Sequence, residues 1–297
     1  MAYFELGKFE EAEYWLNRAK AADKTKVASE YNLGRIAFET GRYGEAAAIF
    51  DRILDKDPQN TMALKAAAYT RIKTGELLKA EQYYRQVLEL IPESADDGYN
   101  YALVLFAVKK FEEAEKILLS NPYALEESKD ALLLYARVQR AQAKVEAIDT
   151  YARYLLNNTD TKVRYEYARI LEEEELYARA IEEYRTSLSE LSESADLKRQ
   201  DIRFSLARAL LIADGENPEG LTELEEAIAS GFTDTDALEN LAADERLSAA
   251  NQDRVRGLIA AVREPPPEEQ ETEAPDGEGE DTPLEAESEA GSDEAEE

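Results

Sequence analysis

Neither cysteine nor histidine occurs anywhere in these 297 residues. The first absence removes disulfides and thiolate metal sites. The second removes the commonest general base and the commonest metal ligand. No run of about 18 apolar residues is present, so no bilayer-spanning helix is predicted. Proline (9) and glycine (13) are scarce, which leaves long stretches free to be regular. A phosphate loop of the form Gly-x-x-x-x-Gly-Lys, a Gly-x-Ser-x-Gly elbow and a dinucleotide fingerprint are all missing. Carboxylate runs such as Glu172–Glu175 have no base or metal ligand beside them and read as solvated faces. The expectation is a non-enzymatic protein with no cofactor and no metal.

Acid is abundant instead. Of 65 acidic residues, 16 fall in 264–297, which has no Lys or Arg; residues 1–263 keep 49 against 35 basic ones, a net of −14. Such a body repels phosphates, so nucleic acid is not an expected partner. The segment 264–297, EPPPEEQETEAPDGEGEDTPLEAESEAGSDEAEE, is nearly devoid of large apolar side chains. It is expected to be a disordered acidic tail, because burial cannot offset the entropy of ordering it. A solubilising role, or competition for the chain's own binding groove, would fit.

The body repeats itself. GRYGEA from Gly41 has relatives in GKFEEA from Gly7, GELLKA from Gly75 and KKFEEA from Lys109. Ala12, Ala46, Ala80 and Ala114 keep an interval of 34 residues, and Ala147 and Ala180 follow with a slip of one residue each. Four positions after each alanine comes Leu16, Phe50, Tyr84, Leu118, Tyr151 or Tyr184. Segments such as YNLGRIAFET and YGEAAAIFDRILD carry apolar residues at helical intervals and no proline. Gly41 and Gly75 are placed to reverse the chain between two helices, and Pro58 and Pro92 to stop the second one. Small residues at Gly34, Ala68 and Ala102, with Ala46 and Ala80, let paired helices approach closely. One pair cannot bury its apolar face alone; stacked pairs can.

On Leu33-Gly34, Gly41, Tyr43, Ala46, Phe50 and Pro58, and again on Gly75, Ala80, Tyr84 and Pro92, the sequence resembles the tetratricopeptide repeat family. The usual tryptophan near the start of the motif is replaced by Glu30, Leu64 and Gly98. The resemblance implies an all-α, right-handed α-solenoid of antiparallel helix pairs. It covers 1–194 as an array of about six repeats, the first truncated. A seventh pair and closing helices over 195–263 resemble the end unit of bacterial arrays, and 264–297 follows as the tail. Met1 falls in mid-helix, so either the numbered start lies inside a longer protein or repeat one is a single capping helix. Trp15 is expected to be packed.

The resemblance also implies a concave wall made by the first helix of each pair. Repeat two would contribute Tyr31, Asn32, Arg35 and Phe38; repeat three, Lys65, Tyr69 and Lys73; repeat four, Tyr99, Asn100, Leu103 and Phe106. Repeat five would add Lys129, Leu132 and Arg140, and repeat six Lys162, Tyr165 and Arg169. This wall is cationic and rich in tyrosine, suited to a protein or peptide partner, an acidic or C-terminal segment above all. Lys65, Asn100 and Lys129 match three positions of a carboxylate clamp used by some family members, while Tyr69 and Leu133 depart from the others. The expected function is a scaffold or adaptor. Two alternatives are a structural subunit of an envelope or secretion assembly, and the repeat portion of a longer enzyme. A cytoplasmic location is favoured over a periplasmic or membrane-anchored one.

Overall fold

Residues 6–22, 27–192 and 196–263 are described in a computed structural model, which places sixteen helices and no strand among them. The expected tail over 264–297, and Tyr3, lie outside the described residues. Helix α1 (Phe9–Ala22) is followed by three hairpins. These are α2 (Val27–Glu39) with α3 (Tyr43–Lys56), α4 (Thr61–Lys73) with α5 (Leu77–Leu90), and α6 (Ala95–Ala107) with α7 (Phe111–Leu119). A short helix, α8 (Pro122–Glu127), comes next. Three more hairpins are α9 (Lys129–Ala141) with α10 (Ala147–Asn157), α11 (Thr161–Glu173) with α12 (Tyr177–Glu190), and α13 (Arg199–Ala213) with α14 (Pro218–Ala229). The described array closes on α15 (Thr235–Ala242) and α16 (Ala249–Arg263).

Most helices pack on the next in sequence, and four overlapping apolar clusters succeed one another along the chain. This is the quasi-one-dimensional packing of an α-solenoid. The repeating alanines form its crossings. Ala46, Ala80, Ala114, Ala147 and Ala180 are all fully buried, and so are Phe50, Tyr84, Leu118, Tyr151 and Tyr184 four residues on. Fully burying a side chain of that kind is worth about 1.5–3 kcal/mol. The facing small residue is equally constrained. A Cβ on Gly34 would lie 2.6 Å from Phe50 Cε1 and 3.1 Å from Ile49 Cγ2.

Each of the five complete hairpins from α2 to α12 turns in one way. Gly41, Gly75, Lys109, Ala143 and Glu175 all have left-handed φ, between 53° and 77°. The amide after each donates to the carbonyl five residues back: Arg42 to Ala37 at 2.7 Å, Lys110 to Leu105 at 2.8 Å, Lys144 to Gln139 at 3.0 Å. These bonds satisfy the last carbonyls of the first helix, and the second helix starts directly afterwards, except that α10 begins three residues on, at Ala147. Several first helices instead begin on a capping side chain. Asn60 accepts from Ala63 N at 3.1 Å, Ser128 from Ala131 N at 3.2 Å, and Asp160 from Lys162 N and Val163 N at 3.1 Å.

Three features differ from the sequence expectations. The second helix of repeat four ends early, at Leu119, and α8 restarts from Asn121, whose side chain accepts from Ala124 N, with Pro122 in its first turn. The run Glu172–Glu175 is not a solvated face throughout. Glu172 is buried, accepts from Tyr184 Oη at 2.7 Å, and receives Arg208 Nε and Nη2 at 2.7 and 2.8 Å. Trp15 is 51% exposed, lies edge-on to Tyr14 and carries Arg18 over its ring. In repeat two, the place of the family's tryptophan holds a buried carboxylate. Burial alone would raise the Glu30 pKa, but Lys56 at 3.0 Å and Arg52 and Lys20 at 3.3 Å hold it below the ordinary value.

Candidate peptide-binding wall

First helices meet one another across the hairpins: α2 touches α4, α6 touches α9, and α11 touches α13. Their side chains form a wall with one hollow at its N-terminal end. Tyr31, Arg35 and Phe38 of α2, with Tyr69 of α4, surround a cavity of about 180 Å³ completed by Glu39, Phe50 and Ala66. The helical spacing of Tyr31, Arg35 and Phe38 puts them on one face of α2. The rings are in contact. Tyr31 stands 5.7 Å from Phe50 and Phe38 stands 5.2 Å from Tyr69, centroid to centroid. Lys73 lies over the Tyr69 ring at 5.5 Å. Phe50, whose spacing marks it for the helix crossing, serves both the crossing and the hollow.

The middle of the wall is more occupied by its own contacts. Lys65 is ion-paired with Asp97, which is itself buried and bonded to Ser94. Asn32 donates to the Ala28 carbonyl at 2.8 Å. Tyr99 and Phe106 are half-buried against the apolar cluster of α4 to α9, and burial raises the Tyr99 pKa. Leu103 and Lys129 are exposed, Asn100 is half-buried and Leu132 is buried. Of the clamp positions, Lys65 is thus neutralised by Asp97, and neither this hollow nor the next includes Lys65, Asn100 or Lys129.

A second, larger hollow of about 430 Å³ lies at the C-terminal end. It joins Tyr165 and Arg169 of α11 to Lys198, Phe204 and Arg208 beside and within α13, and to Phe232 and Asp234 before α15. Tyr165 Oη and Ser205 Oγ share a hydrogen bond of 2.9 Å, and Phe204 stacks on Phe232 with centroids 4.2 Å apart. The hydrogen bonds and charge of Glu172 keep Arg208 protonated, its pKa raised despite burial. Arg140, farther along, is paired with Glu173 at 3.0 Å, and Lys162 is exposed outside both hollows. Lys198 and Arg208 escaped the sequence reading because the repeat alignment fades before α13.

The arrangement offers rings, amides and cations but no nucleophile with a base. Among the described residues no group of His, Cys, Asp or Glu could hold a metal ion, and no helix is long and apolar enough to cross a membrane.

Comparison with known proteins agrees with this geometry. Two tetratricopeptide repeat family models match residues 3–68 and 66–94. An uncharacterized lipoprotein of Treponema pallidum is 26% identical over 144 residues, which span 48% of this chain and 74% of the relative. A tetratricopeptide repeat protein from Parabacteroides merdae superposes with a TM-score of 0.56 at 18% identity, over 89% of this chain and 95% of its own. YrrB, described as a TPR protein with an unusual peptide-binding site, gives 0.53 at 20% identity, over 64% and 96%.

Proposed function

The chain is a tetratricopeptide repeat protein, and from that premise we propose that it is a non-catalytic adaptor gripping an extended segment of a partner along its first-helix wall. One observation carries this reading. Four side chains expected on the wall, Tyr31, Arg35, Phe38 and Tyr69, converge from two hairpins on a single hollow. A preformed wall lowers the ordering cost of capturing a flexible segment, which is how such a surface gains affinity without chemistry. Its exposed cations, Lys73, Lys129, Lys162 and Arg169, favour an acidic or C-terminal segment. The relative described as having a peptide-binding site supports the same reading by its fold.

Selection of a displayed peptide library on the full chain tests the proposal. Binders are expected, enriched in Asp and Glu, with affinity falling as salt rises to physiological strength and the Debye length shrinks to about 8 Å. Failure to select any binder would remove the function. A second reading, a subunit of an envelope assembly, draws on the lipoprotein relative. It predicts that the chain fractionates with membranes in the cell.

A further inference from the structure

The hollow between α2 and α4 has a more specific chemistry than the wall around it. At about 180 Å³ it falls below the roughly 300–1,000 Å³ of sites that enclose whole small molecules. It has room for about six waters at their liquid volume, which is the scale of one large side chain. Tyr31, Phe38, Phe50 and Tyr69 supply its aromatic walls. An aromatic box of this kind often receives a cation, but Arg35 is part of this lining and Lys73 already lies on the Tyr69 ring. Lys73 would repel a further cation there. An apolar side chain fits the aromatic walls, and carboxylates beside it in sequence would meet Lys73, exposed beside the Tyr69 ring.

Resting on the adaptor reading, we propose that this hollow is the anchor pocket of the wall. It takes one bulky aliphatic or aromatic side chain of the partner, flanked by acidic residues. The occupant is a separate protein rather than the chain's own segment 264–297. That segment contains one large apolar residue, Leu284, directly preceded by Thr282 and Pro283, so it does not offer an anchor with acidic residues on both sides.

Nuclear magnetic resonance titration of the full chain tests this with three blocked pentapeptides: Glu-Glu-Leu-Glu-Glu, its counterpart with central alanine, and Lys-Lys-Leu-Lys-Lys. The leucine peptide with acidic flanks is expected to shift the amides of Tyr31, Ala66 and Tyr69. It should bind at least about tenfold more tightly than the alanine form, given the apolar area lost, with the lysine form weaker than both. Ala66→Leu, which fills the hollow from its floor, should abolish the difference between leucine and alanine. Should that variant misfold by circular dichroism, Tyr69→Ala takes its place and should weaken leucine binding at least threefold. Alanine and leucine peptides of equal affinity, or leucine binding unaffected by both variants, would overturn the anchor. Library binders that lack an apolar anchor would do the same while leaving the adaptor function standing. Because the chain has no cysteine, Ala286→Cys gives a single spin-label site. Broadening of the Tyr31 and Tyr69 amides from that label would assign the hollow to the chain's own acidic segment and overturn the choice of partner.

Discussion

Between α2 and α3 the chain reverses on Gly41, and between α4 and α5 on Gly75; at the same place between α9 and α10 stands Ala143, and between α11 and α12 Glu175. All four have the same left-handed φ and the same pair of backbone hydrogen bonds. The first two hairpins therefore use a residue suited to the turn, while the later ones impose the turn on residues that resist it, at about 1–2 kcal/mol each. The second half meets that cost through what surrounds the turn. Helix crossings there are as tightly buried as in the first half, with Ala180 and Tyr184 matching Ala46 and Phe50. Beside them lies a polar knot, Tyr184–Glu172–Arg208, that ties the fifth hairpin (α11 and α12) to the sixth (α13 and α14). The turn sequence thus follows from the packing and does not determine it.

Removing the knot should separate the halves most. Glu172→Ala leaves the Tyr184 hydroxyl and the Arg208 guanidinium without their partner. Breaking a fully buried pair costs 3–5 kcal/mol, and the one-third exposure of Arg208 lowers the expectation to about 2–4 kcal/mol. Hydrogen exchange should show α11 to α14 loosening while α2 to α5 keep their protection. Uniform loosening along the whole chain would mean that the knot is not a local device.

The second contrast concerns the crossings. Ala46→Leu and Ala180→Leu each place a larger side chain where no space remains, with an expected loss of about 1–3 kcal/mol. The two losses should be equal within about 0.5 kcal/mol in urea unfolding, since both alanines are fully buried. A much smaller effect at Ala180 would show that the later hairpins have a looser crossing, and would reduce the comparison to one of rigidity.

The same contrast explains how far the sequence could be read. Alanine and large-residue spacing was legible through all six copies, because every crossing needs that volume. Glycine spacing was legible only as far as Gly75, since Lys109, Ala143 and Glu175 carry no local sign of a left-handed turn. The break before α8 did have a signal, Asn121-Pro122, a capping residue followed by a proline suited to the first turn. Glu172 had none. Its partners lie 12 and 36 residues away, so only packing distinguishes it from its solvated neighbours Glu173 and Glu174. The candidate wall was legible where it repeats the alignment, as at Tyr31, Phe38 and Tyr69. It was not legible where a residue has two duties, as at Phe50, or where the alignment fades, as at Lys198 and Arg208.

The smallest effect discriminates most sharply, because its sign reverses between the halves. Gly41→Ala puts a methyl group on a residue at φ 76° with no neighbouring atom within 4 Å of it. Backbone strain of about 1–2 kcal/mol is then offset in part by the freedom that alanine removes from the unfolded chain, roughly 0.5–1 kcal/mol, and a net loss of up to about 1 kcal/mol is expected. Ala143→Gly relieves the same strain at φ 53°, but the unfolded chain gains the freedom of a glycine, worth roughly 0.5–1 kcal/mol. A net gain of a few tenths of a kcal/mol remains. Urea unfolding of the two variants together therefore gives one fall and one small rise. A loss at Ala143 comparable to that at Gly41 would mean that its methyl group makes contacts that outweigh the strain, and that the later turns are selected for packing as well as imposed by it.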